Sequence, residues 1–212
     1  MLGGKGGTGK TSSAVALAAL LGREQPVVLL DADPQGSATR WVRSAGLALE
    51  LVKVEPATDI RGATIAAVRR AAMQAPLVIA DAPPNAPEIL RTLAALSDLV
   101  VIPTGASTEE LHLAARVLEV VAEESAVRRS PIASLIVPTR WNPRTTLGRE
   151  ALEYLATLGP TVAAPIHERV AWQEAASAGS WFDALGGRAS EALAEAEAVA
   201  EAVRAALTPC TT

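Results

Sequence analysis

Gly4-Lys5-Gly6-Gly7-Thr8-Gly9-Lys10-Thr11 stands almost at the start of the chain and constrains everything that follows it. Its spacing satisfies G-x-x-x-x-G-K-[ST], in which glycines let the backbone curl until several N–H groups converge on phosphate oxygens. Lys10 to Leu21 then carries Ala and Leu at helical spacing, so the positive end of a helix follows the loop. On this pattern Gly6, Gly7, Thr8, Gly9, Lys10, Thr11 and Ser12 form a nucleotide-binding loop. Lys10 is placed to reach the β- and γ-phosphates, and the Thr11 hydroxyl to ligate Mg²⁺. Of the nineteen Lys and Arg only Lys5, Lys10 and Lys53 are lysines, and two of those lie inside the loop. A chain that otherwise uses arginine needs a compact ammonium there.

Short apolar runs that end in acid or proline follow at intervals: Pro26–Asp31, Leu77–Asp81, Asp98–Pro103 and Ile132–Pro138, with weaker candidates at Leu49–Val54 and Thr161–Ala163. Helical stretches lie between them near 35–45, 59–74, 86–96, 107–127, 145–158 and 168–178, with a last one near 188–207. Regular alternation predicts an α/β fold, a doubly wound, mostly parallel sheet with helices on both faces. No linker divides the chain, which is therefore expected to be one P-loop domain over 1–212. A P-loop follows a central strand, yet only Met1 and Leu2 precede the glycines, so the first strand reads as missing or truncated and the assigned start as late.

Three carboxylates fall where such a sheet binds ligands. Asp31 and Asp33 leave one strand end at i, i+2, so they point the same way and need a nearby cation, which Mg²⁺ supplies. Asp81 is delivered by four apolar residues to the magnesium edge, as a Walker B acid is. The single cysteine, Cys210, excludes a disulfide framework and any two-cysteine metal or iron–sulfur motif within one chain. No apolar run approaches a bilayer span, and the cytoplasm is the expected compartment. A net charge of −4 means that any nucleic-acid affinity must come from a local patch.

Lys5-Gly6-Gly7-Thr8-Gly9-Lys10-Thr11-Ser12 resembles the deviant Walker A loop of the ParA/MinD superfamily of P-loop ATPases. The resemblance continues through Asp31-Ala32-Asp33-Pro34-Gln35-Gly36, Asp81-Ala82-Pro83-Pro84, Ile102-Pro103, Thr139–Arg144 and Ile166–Ala175, nearly the whole chain. In length, and in lacking an N-terminal helix-turn-helix, the chain resembles small ParA-type (ParF-like) partition ATPases. That resemblance implies that Lys5 crosses a homodimer interface to the partner's nucleotide, that Asp33 orients the attacking water, and that Asp31 supports the loop and magnesium shell. It implies ATP-driven dimerisation, non-specific DNA binding over the nucleoid, and slow hydrolysis stimulated by a ParB-like centromere-binding protein, with plasmid or chromosome segregation as the outcome. No N-K-x-D segment occurs, which favours ATP over GTP, and Thr139 and Arg140 fall in the adenine-contact region of the resemblance. Two alternatives stay open: a ParA-like positioning ATPase for protein cargo, and a P-loop ligase resembling dethiobiotin synthetase.

Competing branches fit less well. Iron–sulfur carrier ATPases and nitrogenase reductase relatives need cysteines that are not there. MinD-like proteins end in a basic amphipathic helix, whereas Glu191, Glu195, Glu197 and Glu201 here would be repelled by an anionic bilayer, so no membrane is expected. Arg144, Arg149 and Arg169 are the candidate DNA contacts, since sequence-independent binding needs phosphate partners and no base readout. Arg128-Arg129 reads as a helix C-terminal pair favoured by the dipole. His112 and His167 have no metal-ligand spacing, and the four tryptophans are expected in core or interface packing.

Overall fold

The four strong apolar runs become β1 (Val27–Asp31), β3 (Leu77–Asp81), β4 (Leu99–Thr104) and β5 (Ala133–Pro138); the weaker ones become β2 (Glu50–Lys53) and β6 (Thr161–Val162). Among the helices, α1 (Lys10–Leu21), α2 (Ser37–Ser44), α3 (Ile60–Ala72), α4 (Pro87–Leu96) and α5 (Thr108–Arg128) alternate with the strands. They are followed by α6 (Thr146–Thr157), α7 (Val170–Ala178), α8 (Phe182–Leu185) and α9 (Ser190–Leu207). This computed structural model describes Met1 and residues 7–208, so the sequence expectations on Lys5, Gly6 and Cys210 lie outside the described residues. The sequence pattern did not predict α8 or the 3-10 turn Gly186–Ala189, because two glycines interrupt any helical period there.

Every strand pairing is parallel, in the orders β2-β1-β3 and β4-β5-β6. Successive β1 residues go to opposite faces, as the pleat requires. Val27 and Leu29 pack with Ile79, Val101, Leu135 and Val137 under α1, α2, α7 and α9. Val28 and Leu30 pack with Val52, Val100 and Ile102 under α3, α4 and α5. Burial on both faces explains why β1 is apolar at every position up to its terminal acid, with no polar alternation. A third cluster of Ile136, Trp141, Ala151 and Leu155 seats α6.

β3 and β4 face the line between the two groups of strands, and α1 packs on β1, β3 and β4 across that line. The backbone of Met1 takes the β3 edge there. Its amine donates to the Ala80 carbonyl at 2.7 Å, and its carbonyl accepts from the Ala82 N–H at 3.3 Å. That pattern is one rung of a parallel ladder opposite Asp81. The strand expected before the glycine loop is thus represented, among the described residues, by this single rung. Among those residues, no helix is long and apolar enough to cross a membrane.

Leu29 and Leu30 are both fully buried but in different cores. Leu29→Ala and Leu30→Ala are each expected to cost about 3 kcal/mol, measured by guanidinium unfolding monitored by tryptophan fluorescence. A near-neutral result for either would contradict a sheet covered on both faces.

Candidate functional site

Gly9 adopts φ 80, a left-handed conformation suited to glycine, and caps α1 without offering a side chain. No acidic residue occupies the first turn of α1, so its free N–H groups and dipole are left uncompensated by the helix itself. Anion binding is the natural use of such an end. Lys10 is buried, with 6% exposure, and burial lowers its pKa while Asp81 and Asp33 pull the other way.

Asp31 and Asp81 are partners in the parallel register of β1 and β3, so their carboxylates leave the sheet side by side. They are used differently. Asp31 Oδ2 accepts the Thr39 N–H at 2.9 Å and the Thr39 hydroxyl at 2.6 Å, and its Oδ1 accepts the Asp33 N–H at 3.2 Å. This carboxylate therefore caps α2, whose own N-cap is Gly36, and pins the turn between them. Bonded in this way, Asp31 holds the turn that carries Asp33, and it is not among the residues that line the cavity. Asp33 is held by its own turn, Oδ1 accepting the Gln35 N–H at 2.9 Å, and does line the cavity.

Asp81 sits behind the loop. The Thr11 hydroxyl donates to its Oδ2 at 2.7 Å, while Oδ1 is buried without a hydrogen-bond partner among the described residues. Burial pushes the Asp81 pKa up to about 6, with the Thr11 bond opposing. An orphaned carboxylate oxygen behind a threonine hydroxyl fits a hard cation. Among the described residues no cluster of three or more His, Cys, Asp or Glu forms a metal cage. Mg²⁺ in nucleotide sites keeps several waters and is held by one or two protein groups with substrate phosphates, as Thr11 and Asp81 could supply.

The loop is fastened from β5. Thr139, with 3% exposure, donates from its hydroxyl to the Thr8 carbonyl at 2.9 Å and to the Thr104 carbonyl at 3.2 Å. Its expected place at the adenine thus becomes a grip on the phosphate loop, though it still lines the cavity. Arg140, at φ 52, pairs with Glu110, which also accepts from the Ser107 hydroxyl at 2.6 Å in the capping box of α5.

One cavity of about 400 Å³ joins these parts. It is lined by Gly7, Gly9, Lys10, Thr11, Ser12, Asp33 and Ser37 together with Arg140, His167, Arg169, Trp172 and Gln173. Arg169, expected on a DNA surface, faces this cavity and pairs with Glu191 and Glu195. Arg144 and Arg149 are exposed and have no carboxylate partner among the described residues. His167, Trp172 and Gln173 were not singled out as site residues by sequence reasoning. Their only signal was the Ile166–Ala175 segment as a whole, because no motif spacing marks a wall made of packed loop. Arg128 pairs with Asp98 and the Ser97 carbonyl beside the C-terminus of α5, as a C-terminal cation does.

Comparison with known proteins is consistent with this geometry. A family model described as the CobQ/CobB/MinD/ParA nucleotide binding domain matches residues 1–181. The chain is 35% identical over 207 residues to a maintenance of carboxysome distribution protein A of Gloeobacter kilaueensis, covering 95% of this chain and 91% of that protein. It is 32% identical over 174 residues to the chromosome-partitioning ATPase Soj of Thermus thermophilus, covering 69% and 70%. The structure resembles an ATP complex of an McdA variant from Cyanothece with a TM-score of 0.77 at 19% identity, over 100% of this chain and 96% of that one.

The raised Asp81 pKa has a direction that can be checked. The unfolded chain releases this proton near the ordinary aspartate value of 3.8, the folded chain only at about 6, so stability falls as pH rises between those values. Asp81→Asn is therefore expected to raise the melting temperature of metal-free protein at pH 7.5, with a smaller gain at pH 5, where the wild-type carboxyl already holds its proton. Calorimetry at the two pH values measures the difference.

Proposed function

The chain belongs to the CobQ/CobB/MinD/ParA family of nucleotide-binding domains, and from that premise we propose that it is a ParA-type ATPase that positions cargo over DNA. In this reading Mg-ATP pairs two copies face to face, the pair binds DNA without sequence preference over the nucleoid in the cytoplasm, and slow hydrolysis, stimulated by a small DNA- or cargo-binding partner, releases it. The observation that carries the nucleotide part is the Thr11–Asp81 contact at the foot of a cavity that begins on an uncapped helix N-terminus.

Each residue then has a physical task. Backbone amides of the loop and the Lys10 ammonium hold phosphate, and the loop keeps its shape because Thr139 fastens the Thr8 carbonyl. Thr11, with Asp81 behind it, would hold the magnesium ion, which when bound neutralises charge on the phosphate oxygens. Asp33, fixed by the turn that Asp31 anchors, is the group positioned to orient water. Lys5 is assigned to the partner's nucleotide, where a cation from a second subunit stabilises charge on the transferring phosphoryl group. Arg144 and Arg149 remain the candidate phosphate contacts to DNA, doubled by dimerisation.

Two cargoes are compatible with this cycle. A ParB-like centromere partner would make the protein a plasmid or chromosome partition ATPase, as the similarity to Soj suggests. A protein cargo is the second reading, favoured by the 35% identity to a carboxysome distribution protein across nearly the full chain.

In a gel shift with non-specific DNA, the wild-type protein is expected to retard DNA with Mg-ATP and not without it. Lys10→Ala should abolish both the shift and detectable ATP binding. Lys5→Ala should keep nucleotide affinity within a few-fold while losing ATP-dependent dimerisation in light scattering. DNA binding that ignores nucleotide would count against the proposed cycle.

A further inference from the structure

α9 meets the rest of the protein in two different ways. Its apolar face, Ala192, Ala196, Val199, Ala200 and Val203, enters the core shared with α1. Its Glu195 turns instead toward the nucleotide cavity. That carboxylate, with 15% side-chain exposure, accepts the His167 backbone N–H at 3.1 Å and lies 2.7 Å from His167 Nδ1. It also takes Arg169 Nε at 3.1 Å and a second Arg169 nitrogen at 2.6 Å. His167 and Arg169 both line the cavity, and neither is on α9. Burial alone would raise the Glu195 carboxyl; the bonds from Arg169 and His167 outweigh it and hold it below its ordinary range.

We propose that Glu195 is a positioning residue for nucleotide recognition, holding His167 and Arg169 so that their wall of the cavity stays formed against the part of the nucleotide beyond its phosphates. The inference rests on the nucleotide-binding reading above. Its physical basis is that the segment from Ile166 to Arg169 has no regular structure apart from one isolated bridge, between Trp141 and His167. Backbone bonds tie Ile166 to Pro138 and Trp141, and Glu168 to Trp141, but they leave the His167 N–H and the His167 and Arg169 side chains to be held by Glu195. A single carboxylate here fixes one backbone amide and two side chains. Removing its charge leaves the arginine and the histidine on the cavity wall sharing one neutral amide oxygen, with Glu191 as the remaining carboxylate on Arg169.

The test separates the two parts of the cavity lining by probe. Mg-ATP reads the phosphate loop and this wall together, while Mg-tripolyphosphate reads the loop alone. Titration calorimetry on the full chain is expected to show Glu195→Gln weakening Mg-ATP about tenfold, with tripolyphosphate changed less than twofold. Arg169→Gln attacks the same contact from the cavity side and should reproduce the split even if the first variant folds poorly. Glu201→Gln, which breaks an outer ion pair of α9 with Arg204, should leave both probes within twofold. Equal losses for both probes, or no loss for Mg-ATP in either Glu195→Gln or Arg169→Gln, would overturn the proposal. If the unsubstituted chain bound tripolyphosphate but gained nothing from the nucleoside, the inference would fail while the phosphate loop stood. If it bound neither, the nucleotide reading itself would fall, and this inference with it.

Discussion

Asp31 and Asp81 end adjacent parallel strands as register partners, so two carboxylates leave one sheet edge about 5 Å apart. Burial is the larger influence on Asp81, and the like charge of Asp31 adds to it. The molecule resolves the repulsion unequally. Asp31 accepts from the amide and hydroxyl of Thr39 and from the Asp33 amide, which turns its charge into a cap for α2. Asp81 receives one hydroxyl and the nearby Lys10 charge, and one of its oxygens keeps no partner among the described residues. One acid is scaffold; the other is the electrostatic reason for a cation at this edge.

The α1 N-terminus poses the opposite problem at the same place. Its cap is a glycine, its first turn holds no acid, and Lys10 adds a buried positive charge. Positive loop and negative sheet edge are bridged by Thr11, the residue whose hydroxyl bonds Asp81. A magnesium nucleotide complements both halves at once: anionic phosphates for the loop, a cation for the edge. Neither half alone would select that ligand, and the bridging hydroxyl keeps the two in fixed relation. Thr139 extends the arrangement, since its bonds tie the loop carbonyl of Thr8 to the end of β4.

Much of this was legible in the chain because it is written in short-range pattern. Strand positions followed from apolar runs ending in acid, and every strand fell within a residue or two of its expected span. Loop and acids followed from fixed spacing, since a curled backbone needs glycines at set intervals. What escaped was long-range. That Thr139 would hold the loop depends on which strand end lies beside Thr8, 131 residues away. Arg169 looked like a surface cation because its two carboxylate partners lie on α9, more than twenty residues downstream. An isolated arginine in sequence carries no mark of whether an acid will meet it.

The four glutamates of α9 illustrate the same limit from the other side. As a group they made the helix acidic, and that average property argued against an anionic membrane surface. Individually they differ: Glu191 and Glu195 point to the cavity wall, Glu197 reaches Arg23, and Glu201 pairs with Arg204. Exposed pairs of the latter kind contribute little, because water screens them and ordering two long side chains opposes the gain. Glu195 is different because its partners are shielded and one of them is a backbone amide. Hydrophobic burial fixes where α9 lies, but it does not fix the side chains of the loop beside it. A multiply bonded carboxylate does, because moving it by even one ångström breaks several directional contacts together. Helix placement and site geometry are thereby set by different residues of one helix, with stability carried by its apolar face and precision by a single charge.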